Sequence, residues 1–204
     1  MRLAHALARQ LAYPAGIAGR LLAPVMDLAN RTPTRIALDY LSPHPGEAVL
    51  DAGCGTGAAL AEMLVRADCR ATGVDRSPTM LADARRRLGG RAELVEASLE
   101  CLPFADGVFD AVLALNVLYF ADQDGAMISE LRRVLRPGGR LVAYVTAAQT
   151  MKSWSFVGAG LHRLFDPGTL NDALADAGFD SDAVTVHVVP VTGAVMGLFA
   201  VSTR

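Results

Sequence analysis

Apolar and polar positions along the chain alternate between a strand-like and a helix-like period. Ala48, Val49 and Leu50 form an apolar run ending at Asp51. The glycine-rich stretch Gly53-Cys54-Gly55-Thr56-Gly57 then separates it from an alanine-rich segment reaching Arg66. This order predicts a strand, a tight turn and a helix. Arg70 to Val74 predicts a second strand stopped at Asp75, and Ser77-Pro78 opens a helix over Thr79 to Leu88 that Gly89-Gly90 ends. Ala92 to Val95 is a third strand candidate. Asp110 to Leu115 is so continuously apolar that it predicts a central strand buried on both faces, as in parallel sheets. A helical pattern from Gly125 to Leu135 stops at Arg136-Pro137-Gly138-Gly139, and Arg140 to Val145 predicts a fifth strand.

After a looser stretch from Thr146 to Pro167, a helix is expected over Gly168 to Ala177, followed by strands at Ala183 to Val189 and Gly197 to Ser202. The link between those strands, Pro190 to Met196, is too short for a right-handed parallel crossover, so they must pair antiparallel. The expected fold class is therefore α/β. It is a doubly wound sheet of about seven strands, mostly parallel with an antiparallel last strand, and helices on both faces.

With 204 residues, 52% of them apolar and 20% charged, the chain has the profile of one globular domain. A formal net charge of -2 supplies no basic field for a polyanion, so nucleic acid is not an expected partner. Cys54, Cys69 and Cys101 lack the CxxC spacing of a zinc or dithiol site. The expectation is a cytoplasmic protein without a metal. No apolar run is long enough to span a membrane, and Arg9 and Gln10 interrupt any apolar leader. Residues 1–26 carry Arg2, Arg9 and Arg20 with no acid before Asp27, and Leu3, Leu7 and Leu11 recur at helical spacing. Such a basic amphipathic helix docks on an anionic membrane surface or packs across the domain as a lid. Pro14 and Gly16 cut the pattern short and favour the lid.

A glycine-rich turn between a strand and a helix brings backbone amides and a helix N-terminus against a ligand. Read as Gly53-x-Gly55-x-x-Ala58 with Asp75 downstream, the loop also satisfies the dinucleotide pattern, whose acid takes ribose hydroxyls. Asp51 decides between ligands. Two residues before the first glycine, its carboxylate would repel a pyrophosphate and attract a cationic group.

Val49-Leu-Asp-Ala-Gly-Cys-Gly-Thr-Gly57 resembles the first motif of the class I S-adenosylmethionine-dependent methyltransferases, which have a Rossmann-like fold. Further motifs follow in that family's order. Val74-Asp75-Arg76-Ser77-Pro78-Thr79-Met80-Leu81 resembles its second-strand end, Leu102-Pro103-Phe104 before Phe109-Asp110 the run into its fourth strand, and Leu135-Arg136-Pro137-Gly138-Gly139 the turn before its fifth. The resemblance spans about residues 47–145 and is greatest to the small-molecule branch. It implies S-adenosylmethionine as cofactor and S-adenosylhomocysteine as product. The implied cofactor-binding residues are Asp51, Gly53, Cys54, Gly55, Gly57, Asp75, Arg76, Met80, Ser98, Leu99 and Asn116, with Asp75 on the ribose. Asp51 agrees with this ligand, whose amino group and sulfonium are cationic. The sequence departs from that branch at Ser98, where an aspartate usually accepts from the adenine amino group. A hydroxyl accepts more weakly, and Glu100 is the nearby acid able to compensate. The domain then divides into a helical lid over 1–30, a cofactor-binding core over 47–145, and a substrate-side loop, helix and antiparallel strands over 146–204.

The expected reaction is in-line methyl transfer to a small, partly apolar acceptor, driven by proximity and desolvation and requiring no metal. Candidate catalytic residues are few. Tyr119 and Asn116 follow the fourth strand, where ligands of open α/β sheets gather. Asn-x-x-Tyr has the spacing of DNA amino-group methyltransferases, but Val117 and Leu118 replace the prolines of that motif. His162, in the looser stretch, is a candidate general base or a solvated loop residue. His44 reads as a turn residue, His187 as a residue of a terminal strand, and Cys54 as packing. Tyr119, Trp154 and His162 are expected to line the acceptor pocket, with Phe156 beside Trp154 and the segment around Tyr13 as lid. Two other readings stay open: a nicotinamide-dependent oxidoreductase, and an inactive cofactor-binding partner subunit.

Overall fold

The computed structural model describes residues 16–121, 125–154, 157 and 162–204, with side chains from residue 24 onward. Helix α1 (Gly16–Leu41) precedes β1 (Ala48–Ala52), α2 (Ala58–Arg66), β2 (Arg70–Asp75), α3 (Pro78–Leu88) and β3 (Glu93–Glu96). Then come β4 (Phe109–Leu115), α4 (Ala126–Val134), β5 (Leu135–Thr146), the short α5 (Ala148–Met151), α6 (Pro167–Asp176), β6 (Thr185–Thr192) and β7 (Val195–Thr203). The sheet order is β3-β2-β1-β4-β5-β7-β6. Strands β1 to β5 pair in parallel, and β7 pairs antiparallel with both β5 and β6. The order reverses direction between β1 and β4, opening a crevice at their carboxyl ends.

Alternate residues of the central strands feed two cores. Val49, Ala111 and Leu113 pack with α1, α2 and α3, while Leu50, Ala52, Val112 and Ala114 pack with α4 and α6. That two-sided burial is why β4 is apolar without alternation. Local chemistry sets several helix ends. Ser77 caps α3 by accepting from the Met80 amide, with Pro78 in the first turn. Asp166 and Thr169 close a capping box that starts α6 at Pro167.

Three boundaries differ from the sequence expectation. Helix α1 runs through Pro24 and Pro33, although each proline removes an amide donor. Its second half is held by tertiary burial of Ala37, Leu38 and Leu41 against the sheet. Strand β5 begins at Leu135, because Leu135 pairs with Phe109 before the chain bulges and resumes at Arg140 opposite Ala111. Strands β6 and β7 extend until only Gly193 and Ala194 separate them, so the link is a hairpin turn. His187 stacks on Tyr40 of α1, ring centroids 4.6 Å apart, and the His44 ring shares a hydrogen bond with the Ser42 carbonyl in the turn before β1.

Candidate functional site

A cavity of about 710 Å³ opens over the carboxyl ends of β1, β2 and β4, and residues of α1 between Pro24 and Thr34 contribute to its wall. Ten of the eleven residues expected to bind cofactor lie in its wall: Asp51, Gly53, Cys54, Gly55, Asp75, Arg76, Met80, Ser98, Leu99 and Asn116. The eleventh, Gly57, faces elsewhere. A Cβ there would sit 3.1 Å from the Ala84 Cβ and 3.0 Å from Leu88 Cδ1, so this glycine brings the start of α2 against α3. Gly53 is glycine for two reasons. Its φ of 78° is left-handed, and a Cβ would lie 2.2 Å from Val117 Cγ1.

The loop is tied to the end of β2. Gly53 and Cys54 donate their amides to the Val74 carbonyl at 2.8 and 2.9 Å. Gly55 donates to Asp75 Oδ2 at 2.9 Å, and Ser77 donates to Asp75 Oδ1 at 2.8 Å. Asp75 is thereby oriented with lone pairs to spare. Burial pushes its carboxyl above the usual range, while the two amides and neighbouring Arg76 oppose that shift. Ser98, beyond β3, donates its hydroxyl to Glu100 Oε2, while its oxygen accepts from the Glu100 amide at 3.4 Å and keeps one lone pair.

Asp51 is the electrostatic anomaly of the site. It is 2% exposed, and its Oδ2 is buried without a hydrogen-bond partner. Burial, reinforced by Asp75, pushes its carboxyl up to about 7. A buried, unpartnered carboxylate is costly and calls for a cationic partner. Cys54 packs beside it, and burial with the two acids pushes the thiol far above its usual range, which leaves it inert.

Asn116, at the end of β4, adopts a left-handed φ of 57°, uncommon for any residue but glycine. Its side-chain amide is held on both sides. Tyr119 donates its hydroxyl to Asn116 Oδ1 at 3.2 Å, and Asn116 Nδ2 donates to Asn30 Oδ1 at 2.9 Å. The Tyr119 hydroxyl also accepts from the Thr146 amide. Burial pushes this phenol well above its usual range, so it stays protonated and orients Asn116. Among the described residues, the cavity wall includes Val117, Phe120 and Met127 but not Tyr119, Trp154 or His162. Trp154 packs against the core, and the His162 ring lies 5.2 Å from that of Phe120, with burial holding its imidazole below the usual range. Tyr13 and Phe156 lie outside the described residues.

The residues that sequence reasoning missed are on α1. Asp27, Asn30, Arg31 and Thr34 recur at helical spacing along the face turned to the cavity. Asp27 accepts from Thr56 Oγ1 at 2.8 Å and pairs with Arg87 Nη2 at 2.5 Å, tying α1 to the glycine loop and to α3. The one local signal is that Asp27 is the first acid of the chain.

Residues 50–143 match the family model described as a methyltransferase domain. The chain is 40% identical over 134 residues to a demethylmenaquinone methyltransferase of Thermus thermophilus, a match covering 59% of this chain and 60% of that protein. It is 26% identical to the Burkholderia thailandensis 1,6-didemethyltoxoflavin-N1-methyltransferase, solved with its substrate and S-adenosylhomocysteine, at a TM-score of 0.66 over 87% of this chain and 80% of that one. In sequence over residues 50–143 and in fold, the chain is similar to S-adenosylmethionine-dependent methyltransferases. A Haloferax volcanii protein solved with the Trm112 methyltransferase activator shares this methyltransferase fold across 96% of both chains, at TM-score 0.76 and 20% identity. The chain spans between about a third and three-fifths of the length of the first curated relatives it matches. The cavity suits the methyltransferase cofactor: an unpartnered buried acid meets a cationic amino group, and an amide-oriented acid meets ribose hydroxyls. Among the described residues no helix is long and apolar enough to cross a membrane.

Proposed function

We propose that the chain binds S-adenosylmethionine in this cavity and transfers its methyl group to a nucleophilic atom of a small, partly apolar acceptor. The observation that carries the reading is the buried, unpartnered Asp51 carboxylate at the glycine loop, which disfavours a pyrophosphate and suits an amino group. When bound, the cofactor supplies a methyl group activated on a sulfonium, with a neutral thioether as leaving group. The protein's part is placement. Asp51 would hold the amino end, Asp75 would accept from the ribose, and Ser98 backed by Glu100 would accept from the amino edge of the base. Met80 and Leu99, both in the cavity wall, would supply apolar contact to the base.

Val117, Phe120 and Met127 form an apolar wall that excludes water and admits the acceptor beyond β4. Asn116, held by Tyr119 and Asn30, lines the same cavity. In-line attack on a sulfonium methyl gains most from such positioning and desolvation. S-adenosylhomocysteine is expected to raise the melting temperature, as a ligand selective for the native state does, and NAD is not. A thermal-shift titration with the reverse order would overturn the assignment.

A further inference from the structure

The two halves of α1 are held by different forces. From Ala37 onward the helix is fixed by apolar burial: Ala37, Leu38 and Leu41 are fully buried and pack with Val49 and Leu113 of the sheet. Residues 24–32 have no such hold. None of them is buried, Val25 and Leu28 are 64% and 66% exposed, and none of Val25, Met26 and Leu28 packs into either core. Pro33 stands at the junction. It has no amide to donate to the Ala29 carbonyl one turn back, so the helical ladder is interrupted between the half that is buried and the half that is not.

What ties the first half down is polar. Asp27 accepts from Thr56 Oγ1 at 2.8 Å and from Arg87 Nη2 at 2.5 Å. Arg87 Nη1 donates to the Thr56 hydroxyl at 2.6 Å and to the Thr56 carbonyl at 3.1 Å. The three side chains form a clasp that joins α1 to the glycine loop and to the last turn of α3. A neutral tether, from Asn116 Nδ2 to Asn30 Oδ1 at 2.9 Å, joins the same half of α1 to the end of β4. Both ties border the cavity, whose wall includes six of the eight residues 24–31 as well as Thr56, Arg87 and Asn116. The side chains of the ion pair are 26% exposed at Asp27 and 36% at Arg87, so water and salt reach the clasp and weaken it. Apolar burial beyond Pro33 is not weakened in that way. When the helix yields, it therefore yields on the Asp27 side.

Resting on the cofactor reading above, we propose that residues 24–32 of α1 are a gate, hinged at Pro33 and held shut by the Asp27–Thr56–Arg87 clasp, whose opening admits the cofactor and releases the product. Arg87 holds the Thr56 carbonyl as well as its hydroxyl, so the base stays with the glycine loop when Asp27 departs. Opening breaks the bonds of Asp27 and Asn30 alone. The loop, the strand ends and the buried half of α1 keep their places, and the cavity is left formed.

Hydrogen exchange on the ligand-free protein tests the hinge. Amides of residues 25–32 should exchange about tenfold faster than those of residues 36–41. Asp27→Ala should speed the first set by about a further tenfold, the loss of a charge-assisted bond, and leave the second unmoved. Equal protection on both sides of Pro33 would overturn the proposal. Stopped-flow binding of S-adenosylhomocysteine tests the gate. In Asp27→Ala the association and dissociation rates should both rise by about tenfold while the dissociation constant stays within about threefold, because the open state gains population with and without ligand. Arg87→Met keeps the stem and leaves Thr56 bonded to Asp27, so it should act in the same direction and less. The ligand has no net charge, so the wild-type rates should rise with salt only as the clasp is screened, and that rise should vanish in Asp27→Ala. Faster dissociation with a matching loss of affinity would make Asp27 a ligand contact, and unchanged rates would make α1 a fixed wall. Either result overturns the proposal. Should the wild type fail to bind S-adenosylhomocysteine, the cofactor reading falls, and the exchange contrast across Pro33 still decides for or against the hinge.

Discussion

Replacing Asp51 by asparagine should make the ligand-free protein more stable at alkaline pH while removing most of its affinity for the cofactor. Burial, reinforced by Asp75, pushes the carboxyl up to about 7 in the folded protein, against its ordinary value of 3.8. A folded-state pKa raised above the unfolded one means that the native state binds the extra proton. Its stabilising effect is full below about pH 4, declines between about pH 4 and 7, and is absent above. Holding that carboxyl ionised in the fold therefore costs on the order of 4 kcal/mol. Asparagine has the same shape and no charge, but it leaves a buried amide imperfectly bonded, which returns about 1 to 3 kcal/mol. The expected net gain is about 1 to 3 kcal/mol, and the melting temperature rises by about 2 to 4 °C per kcal/mol in a domain of this size. The assay is a pair of melting curves for wild type and Asp51→Asn, near pH 8.5 and near pH 5.5. The variant should melt higher at the first pH and differ little at the second, where the wild-type carboxyl is already protonated. With S-adenosylhomocysteine present the ranking at high pH should invert, because only the wild type offers the amino group a charge. Equal melting temperatures at high pH, or a difference of the same size at both, would refute the argument that Asp51 is a destabilised charge held for a ligand.

Asp75→Ala should weaken S-adenosylhomocysteine binding by about 1 to 3 kcal/mol, since alanine cannot accept from ribose hydroxyls and frees the Gly55 amide; an unchanged dissociation constant by calorimetry would remove Asp75 from the site. Ser98→Asp should tighten the cofactor if the carboxylate can accept from the adenine amino group, and a weaker complex would show that Glu100 repels the new charge in that place. Tyr119→Phe strips a buried bond from the Thr146 amide and releases Asn116, so about 1 to 2 kcal/mol of stability should go, with a raised KM for the acceptor. Denaturant unfolding and steady-state kinetics check the two parts separately.

The strand-turn-helix around Gly53, the acid at Asp51 and the acid at Asp75 are legible in the sequence because their relation is local. A parallel strand pair in register brings Asp51 opposite Gly73, so the glycine loop that follows β1 lies beside the end of β2 and Gly55 reaches Asp75 directly. The two-sided burial of β4 and the antiparallel β6 and β7 are likewise set by composition and connection length. Periodicity is silent about what crosses the cleft. Asn30 meets Asn116 across 86 positions and Asp27 meets Arg87 across 60, and neither contact leaves a mark on neighbouring residues. Helix α1 itself is obscured by Pro24 and Pro33, whose missing donors argue against a helix locally, while the burial of Leu38 and Leu41 outweighs them. Gly57 shows the same limit from the other side. Its place in the motif implies a ligand contact, and only the approach of Ala84 and Leu88 assigns it to packing. Sequence alone thus determined the half of the site that one βαβ unit builds. The rest of the wall, with the polar residues of α1 brought to the glycine loop and the β4 end, was decided by tertiary packing, because a helix docks wherever its buried face fits and carries its polar face along.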